Sequence, residues 1–238
     1  MVMSQSLELR SFYEDYYNDE VGRKRAIAAK QTVDHISALC GGKSLGKLLD
    51  VGAGDGAVLA EVEKRGMASE LHAAEISNSG IERIRKRKLN TLKSVQEFDG
   101  YKLPFADNSF DTVLAVHVLE HVEHERLFLR ELSRVARQCY VEVPLEHTFR
   151  VHRSIQTSAP YGHLNFYTPE TFKNLLSTAE LSLLSIAVFS NSLDYEVFLS
   201  RPHVGKVKYI VRSSALKLLP RLAPKFFVYL GGAFCERK

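Results

Sequence analysis

The chain has 238 residues, 45% apolar and 25% charged, which is the balance of one globular domain with room for an added cap. A net charge of +4 is too slight for a dedicated nucleic-acid binder, so nucleic acid is disfavoured as a partner. Cys40, Cys139 and Cys235 lie far apart without a CxxC or Cys/His pattern, which argues against disulfides and structural zinc and suits a cytoplasmic location.

Residues 1–40 read as a helical N-terminal cap in which Phe12, Tyr13, Tyr16 and Tyr17 form one aromatic cluster. The opening stretch is polar and acidic-aromatic, unlike a signal peptide, and no apolar run approaches the ~18–20 residues needed to span a bilayer. Residues 41–238 read as a single domain. Lys47–Val51 is a short apolar run ending in a glycine loop, hence a buried strand, and Ala57–Lys64 is a helix. Leu71–Ala74 is a second strand ended by Glu75, with a helix to about Lys88. In that helix Ile81 and Ile84 fall at helical spacing, so the basic run 83–88 reads as a solvated face.

Leu92–Val95, Phe110–Val116 and Cys139–Val143 are further strands, the last stopped by Pro144, and Glu125–Arg134 is a surface helix. Residues 144–167 form a long connection, read as a lid. Thr168-Pro169-Glu170 starts a helix, with an N-cap, a first-position proline and an acid in the first turn. Leu184–Phe189, Tyr195–Leu199 and Phe226–Phe234 are strand candidates, with a helical insertion over 201–222 between the last two. The basic stretch 206–225 reads as a helix packed on the cap or across the sheet edge, in preference to a membrane-surface segment. Strands alternating with helices imply an α/β, doubly wound, mostly parallel sheet.

The chemistry concentrates in Leu49-Asp50-Val51-Gly52-Ala53-Gly54-Asp55-Gly56. Glycines after a strand let the backbone turn sharply and approach a ligand, and a helix N-terminus follows. The spacing is GxGxG rather than the GxGxxG of dinucleotide-binding loops, and Asp50 stands two residues before the first glycine. A carboxylate there repels a pyrophosphate. It suits a cation such as S-adenosylmethionine (SAM), which carries an ammonium and a sulfonium. Glu75, about 20 residues on at a strand end, is spaced to accept ribose hydroxyls.

These stretches, with AAEIS at 73–77 and DGYKLPFADNSFDTVLAVHVLEHV at 99–122, resemble class I SAM-dependent methyltransferases. The group is the one that includes quinone-biosynthesis and other small-molecule enzymes (methyltransferase type 11/23). The resemblance covers residues 48–143. It implies a Rossmann-like seven-stranded sheet with the last strand antiparallel, SAM as cofactor and S-adenosylhomocysteine (SAH) as product. Asp50, Gly52, Ala53, Gly54 and Glu75 would hold the cofactor. Ile76 would pack on the adenine, Asp99 would meet its amino group and Gly100 its ring, while His117 would line the methionine end. One of Tyr13, Tyr16 or Tyr17, with Tyr16 the leading candidate, would reach the SAM carboxylate from the cap.

His117, His121 and His124 invite a metal reading, which is discounted because helical register between His117 and His121 is doubtful at a strand end; no metal is expected. His121 reads as a residue that packs or bonds locally. Tyr161–Tyr167 is similar to a segment that follows the fifth strand in this group, making His163, and secondarily His117, the candidates for a general base. Glu146, His147, Arg150, His152 and Arg153 share that connection and could orient a polar substrate. The expected activity is methyl transfer to an O, N or C nucleophile of a small molecule, by a monomer or homodimer. An RNA or protein methyltransferase, a non-catalytic SAM-binding partner and a nicotinamide oxidoreductase are the alternatives.

Overall fold

A computed structural model describes residues 19–158 and 162–238, so Tyr13, Tyr16, Tyr17 and Tyr161 lie outside the described residues. Seven strands form one sheet: β1 (Lys47–Val51), β2 (Glu70–Glu75), β3 (Leu92–Glu97), β4 (Phe110–Val116), β5 (Ala136–Leu145), β6 (Leu181–Phe189) and β7 (Tyr229–Arg237). Their order is β3-β2-β1-β4-β5-β7-β6. The first five pair in parallel, and β7 runs antiparallel to both β5 and β6. This is the doubly wound sheet that the strand–helix alternation implies, with the reversed last strand that the family resemblance implies.

The central strands are apolar almost without interruption because both faces are covered. Leu48 packs with α1 (Asp19–Cys40), α2 (Ala57–Lys64) and α3 (Asn78–Lys86), through Val33, Ile36, Leu59, Val62 and Ile84. Its neighbour Leu49 faces the other way, where α4 (Glu125–Val135) and α6 (Pro169–Thr178) contribute Phe128, Leu132, Phe172 and Leu176. Adjacent side chains on one strand thus serve two cores. Thr168 caps α6 as the sequence predicts, its hydroxyl accepting the Thr171 N–H at 3.1 Å.

Four expectations need correction. Tyr195–Leu199 is not a strand: Leu193–Phe198 forms the helix α7, because the Ser192 hydroxyl caps it by accepting the Tyr195 N–H at 3.2 Å. The last strand begins at Tyr229 rather than Phe226, since Ala223–Phe226 closes the short helix α9. Pro144 does not end β5 but pairs with Leu230. The Glu142 carbonyl accepts the His117 N–H at 2.9 Å, so Glu142 faces β4; Pro144, two residues on, faces that same side beyond the end of β4, where a missing N–H costs no ladder bond. The connection over 144–167 also contains a helix, α5 (Val151–Ser158).

Helix α8 (Pro202–Leu218) packs on α7 through Gly205, where a Cβ would lie 2.6 Å from the Glu196 carbonyl oxygen. Arg212 on α8 pairs with the buried Glu196 carboxylate. Val207, Ile210 and Val211 on the same helix remain exposed. No helix among the described residues is long and apolar enough to cross a membrane.

Candidate cofactor and acceptor site

At the carboxyl end of β1 the chain turns through Gly52, at φ +71°, into a conformation that L side chains seldom adopt. Its N–H donates to the Ala74 carbonyl at 2.8 Å, and a Cβ there would lie 2.5 Å from Val118 Cγ2, so only glycine fits. Glu75 braces the loop from β2. Its Oε2 accepts the Gly54 N–H at 2.7 Å, and its Oε1 accepts the Ser77 N–H at 3.1 Å and hydroxyl at 2.9 Å. Gly80 on α3 sits against this brace: a Cβ would come within 2.8 Å of the Gly54 carbonyl oxygen.

Asp50 is 2% exposed, and its Oδ2 has no hydrogen-bond partner within the protein. Burial pushes its carboxyl up to about 7, with Arg25 opposing and the negative charges of Glu75 and Asp55 adding to the rise. Buried polar atoms are ordinarily paired, so this oxygen marks a place where a positive or donating group belongs.

Asp99 and Gly100 follow β3, at the same edge of the sheet. Asp99 is exposed and its Oδ1 accepts the N–H groups of Tyr101 and Lys102 at 2.9 and 2.7 Å, while Gly100 has φ +94°. Ile76 is half-buried beside Glu75. The structure therefore gathers Asp50, Gly52, Ala53, Gly54, Glu75, Ile76, Asp99 and Gly100 at the carboxyl ends of β1, β2 and β3, where ligands of open α/β sheets sit.

His117 ends β4 with φ +55°, a strained value for a residue with a Cβ. Its side chain is 38% exposed, with Nδ1 3.2 Å from Glu120 Oε1 and Nε2 3.6 Å from Glu142 Oε1. Burial lowers its basicity, but the Glu120 hydrogen bond and the charges of Glu120 and Glu142 prevail and raise it. His121 does not continue a helix with His117, because Leu119–His121 is a single 3-10 turn. Nor is it only local: His121 Nδ1 meets the Gly162 carbonyl at 3.2 Å, and its ring stands edge-on to His163 at 4.9 Å. His163 in turn places Nδ1 2.6 Å from Glu146 Oε2. Burial opposes its protonation, while Glu146 and Glu120 favour it and raise it overall.

Sequence reasoning missed several partners. Arg87, counted in a solvated basic run, instead grips Asp55 at 2.6 Å, and Arg25 holds the other Asp55 oxygen at 2.7 Å. Glu142 is fully buried, accepting hydrogen bonds from Thr32 and Tyr140 and meeting His35 Nδ1 at 2.8 Å. For Glu120 the i, i+3 spacing from His117 was a signal available in the sequence.

The strand order with a reversed β7 is that of the α/β Rossmann-like methyltransferase fold. Residues 49–139 match the family described as a methyltransferase domain. The chain is similar to ajmaline N-methyltransferase of Rauvolfia serpentina, 30% identical over 115 residues, covering 47% of this chain and 38% of that protein. It is likewise similar to a ubiquinone/menaquinone biosynthesis C-methyltransferase of Desulfotalea psychrophila, 29% identical over 100 residues, covering 42% of this chain and 41% of that one. The matched segment thus spans less than half of each relative. Among solved structures, geranyl diphosphate C-methyltransferase from Streptomyces coelicolor A3(2), in complex with Mg2+, geranyl diphosphate and SAH, shares the fold. The TM-score is 0.69, at 12% identity over 98% of both chains.

Proposed function

We propose that this chain is a methyltransferase that binds SAM at the Gly52–Gly56 loop and methylates an O, N or C nucleophile of a small molecule. The observation that carries the reading is the buried, unpartnered Oδ2 of Asp50 beside that loop. A cationic ligand supplies what this oxygen lacks, whereas a pyrophosphate would be repelled by Asp50 and Glu75 together. Glu75, pinned by Gly54 and Ser77, keeps lone pairs for ribose hydroxyls. Ile76, Asp99 and Gly100 would flank the adenine, and Tyr16 would close the methionine end from the N-terminal segment.

When bound, SAM supplies an electrophilic methyl group on its sulfonium. The chain's own task is positioning, which needs no covalent step on the protein and can account for several kcal/mol. His117, at the end of β4 with Glu120 and Glu142 beside its ring nitrogens, would be the group to take a proton from an acceptor hydroxyl or amine, with His163 the other candidate.

Calorimetry with SAH tests the cofactor. Binding is expected, and Asp50→Asn should weaken it by at least roughly tenfold, about 1.4 kcal/mol, with an unchanged circular dichroism spectrum. Binding of NAD in place of SAH, or unaltered SAH affinity in a folded Asp50→Asn protein, would overturn the assignment. Transfer of a labelled methyl group to a panel of quinones, sugars and amines tests the acceptor class, with RNA and protein as the contrary arms.

A further inference from the structure

The 3-10 turn Leu119–His121 and the connection after β5 bring Glu120, His121 and His163 together, and the proposed methyl transfer does not use them as a set. One potential ligand atom from each lies within 4.8 Å of the other two. We propose that these three residues form a binding site for a single divalent transition-metal ion, for which Zn2+ is the probe.

The donor set is two imidazoles and one carboxylate, a combination that suits borderline-soft divalent ions and leaves open coordination positions. The hydrogen bonds behind the imidazoles have the arrangement that metal-ligating histidines show. The Nδ1–H of His163 donates to Glu146 Oε2 at 2.6 Å, and that of His121 donates to the Gly162 carbonyl at 3.2 Å. With the proton of each ring held on Nδ1, the lone pair of each lies on Nε2. The carboxylate supplies an independent observation. Glu120 is fully buried, its Oε1 meets His117, and its Oε2 has no hydrogen-bond partner. Packing alone accounts for two histidines set edge to face but leaves that oxygen without a partner, an expensive state that a cation relieves.

The framework beneath the cluster is fixed. The Glu120 carbonyl accepts the N–H groups of Leu164 and Asn165 at 2.7 and 3.0 Å. The Asn165 side chain donates to the carbonyls of Leu119 and Val122 at 3.1 and 2.7 Å. The segment that carries His163 is thereby tied to the turn that carries Glu120, which is the preorganisation a metal site requires. Occupancy would make His163 a ligand rather than a general base. The inference does not depend on the cofactor reading.

The test takes the full chain, stripped by a chelator and titrated with Zn2+ against a chromogenic competitor. One Zn2+ per chain is expected, and His163→Gln or His121→Gln should weaken binding at least roughly 30-fold. Glu146→Gln, which removes no ligand, should weaken it by about 10–100-fold. Co2+ loading provides a second readout: its visible absorption bands should collapse in His163→Gln. Failure to bind Zn2+ stoichiometrically, or an affinity unchanged from that of the unsubstituted protein in either histidine variant with native circular dichroism, would overturn the site. SAH calorimetry on the same proteins separates the two readings. Intact SAH binding without Zn2+ binding removes the metal site alone, and Zn2+ binding without SAH binding removes only the cofactor assignment.

Discussion

Arg87, the residue that closes α3, holds Asp55 of the glycine loop at two points: Nη2 lies 2.6 Å from Oδ2, and Nε donates to the Asp55 carbonyl. Arg25 of α1 completes the clamp on Oδ1. Two helices on one face of the sheet thus fix a loop whose glycines would otherwise leave it loose. Burial alone would raise the Asp55 carboxyl, but the two guanidinium groups outweigh it and hold it below the usual range. Its contribution to stability is therefore present above about pH 4 and lost as pH falls through the depressed value.

Replacing Arg87 by Met leaves the buried Asp55 with one guanidinium partner instead of two and strips Oδ2 of its ion pair. The expected loss is about 1–3 kcal/mol, read as a fall in Tm, together with weaker SAH binding as the loop loosens. Arg85→Met, two residues earlier on the solvent side, should leave both unchanged. Equal behaviour of the two variants would show that the clamp does not hold the loop.

Asp50 gives a pH dependence of the opposite sense. Its folded-state carboxyl lies near 7 against an ordinary 3.8, so between these values the folded protein binds more protons than the unfolded chain. Ligand-free stability is then fully present below about pH 4 and declines as pH rises through 7, by on the order of 4 kcal/mol in all. Thermal unfolding between pH 5 and 8 should show this decline, and Asp50→Asn should abolish it. Ligand binding reverses the trend, because a bound ammonium favours the ionised carboxylate. SAH affinity should rise from pH 6 to 8, and calorimetry near pH 6.5 in buffers of different ionisation heat should detect proton release. A pH-independent affinity would separate Asp50 from the ligand.

What could be read from the sequence follows from where the information is local. The apolar runs of β1 and β4 and the Gly52–Gly56 loop each announce themselves within a few residues, and alternation with helices then implies a doubly wound parallel sheet, while the reversed last strand follows only from the family resemblance. Tyr195–Leu199 has the β-branched and aromatic composition of a strand, yet Ser192 caps it into a helix, a case of start chemistry prevailing over composition. His121 and His163 are separated by 42 positions, and only the return of the chain after β5 brings them together, so no spacing rule could have paired them. Arg87 looked like one more solvated cation because its partner lies 32 residues away.

Glu142 is the clearest instance of tertiary context overriding pattern, and it carries the last prediction. In the run CYVEV it reads as the polar residue of a strand, yet it is fully buried between β5 and α1. Thr32 donates to Oε1 at 2.9 Å and Tyr140 to Oε2 at 2.6 Å, with His35 Nδ1 2.8 Å from Oε2 and stacked on Phe189. Desolvation raises the carboxyl, but the hydrogen bonds and charges of His35 and His117, together with the Tyr140 hydroxyl, outweigh it and hold it low. An ionised carboxylate only accepts hydrogen bonds, whereas an amide turns two of its protons toward groups that themselves donate. Glu142→Gln is therefore nearly isosteric but mismatched, and should cost about 3 kcal/mol at pH 7, or roughly 6–12 °C in Tm. Because the carboxyl is depressed, its stabilisation is present above about pH 4.3 and lost as pH falls through the folded-state value, so the gap between the two proteins should narrow in acid. Thermal scans of both proteins at pH 7 and pH 3.5 check this, and a gap of the same size at both would mean that packing rather than charge makes Glu142 irreplaceable.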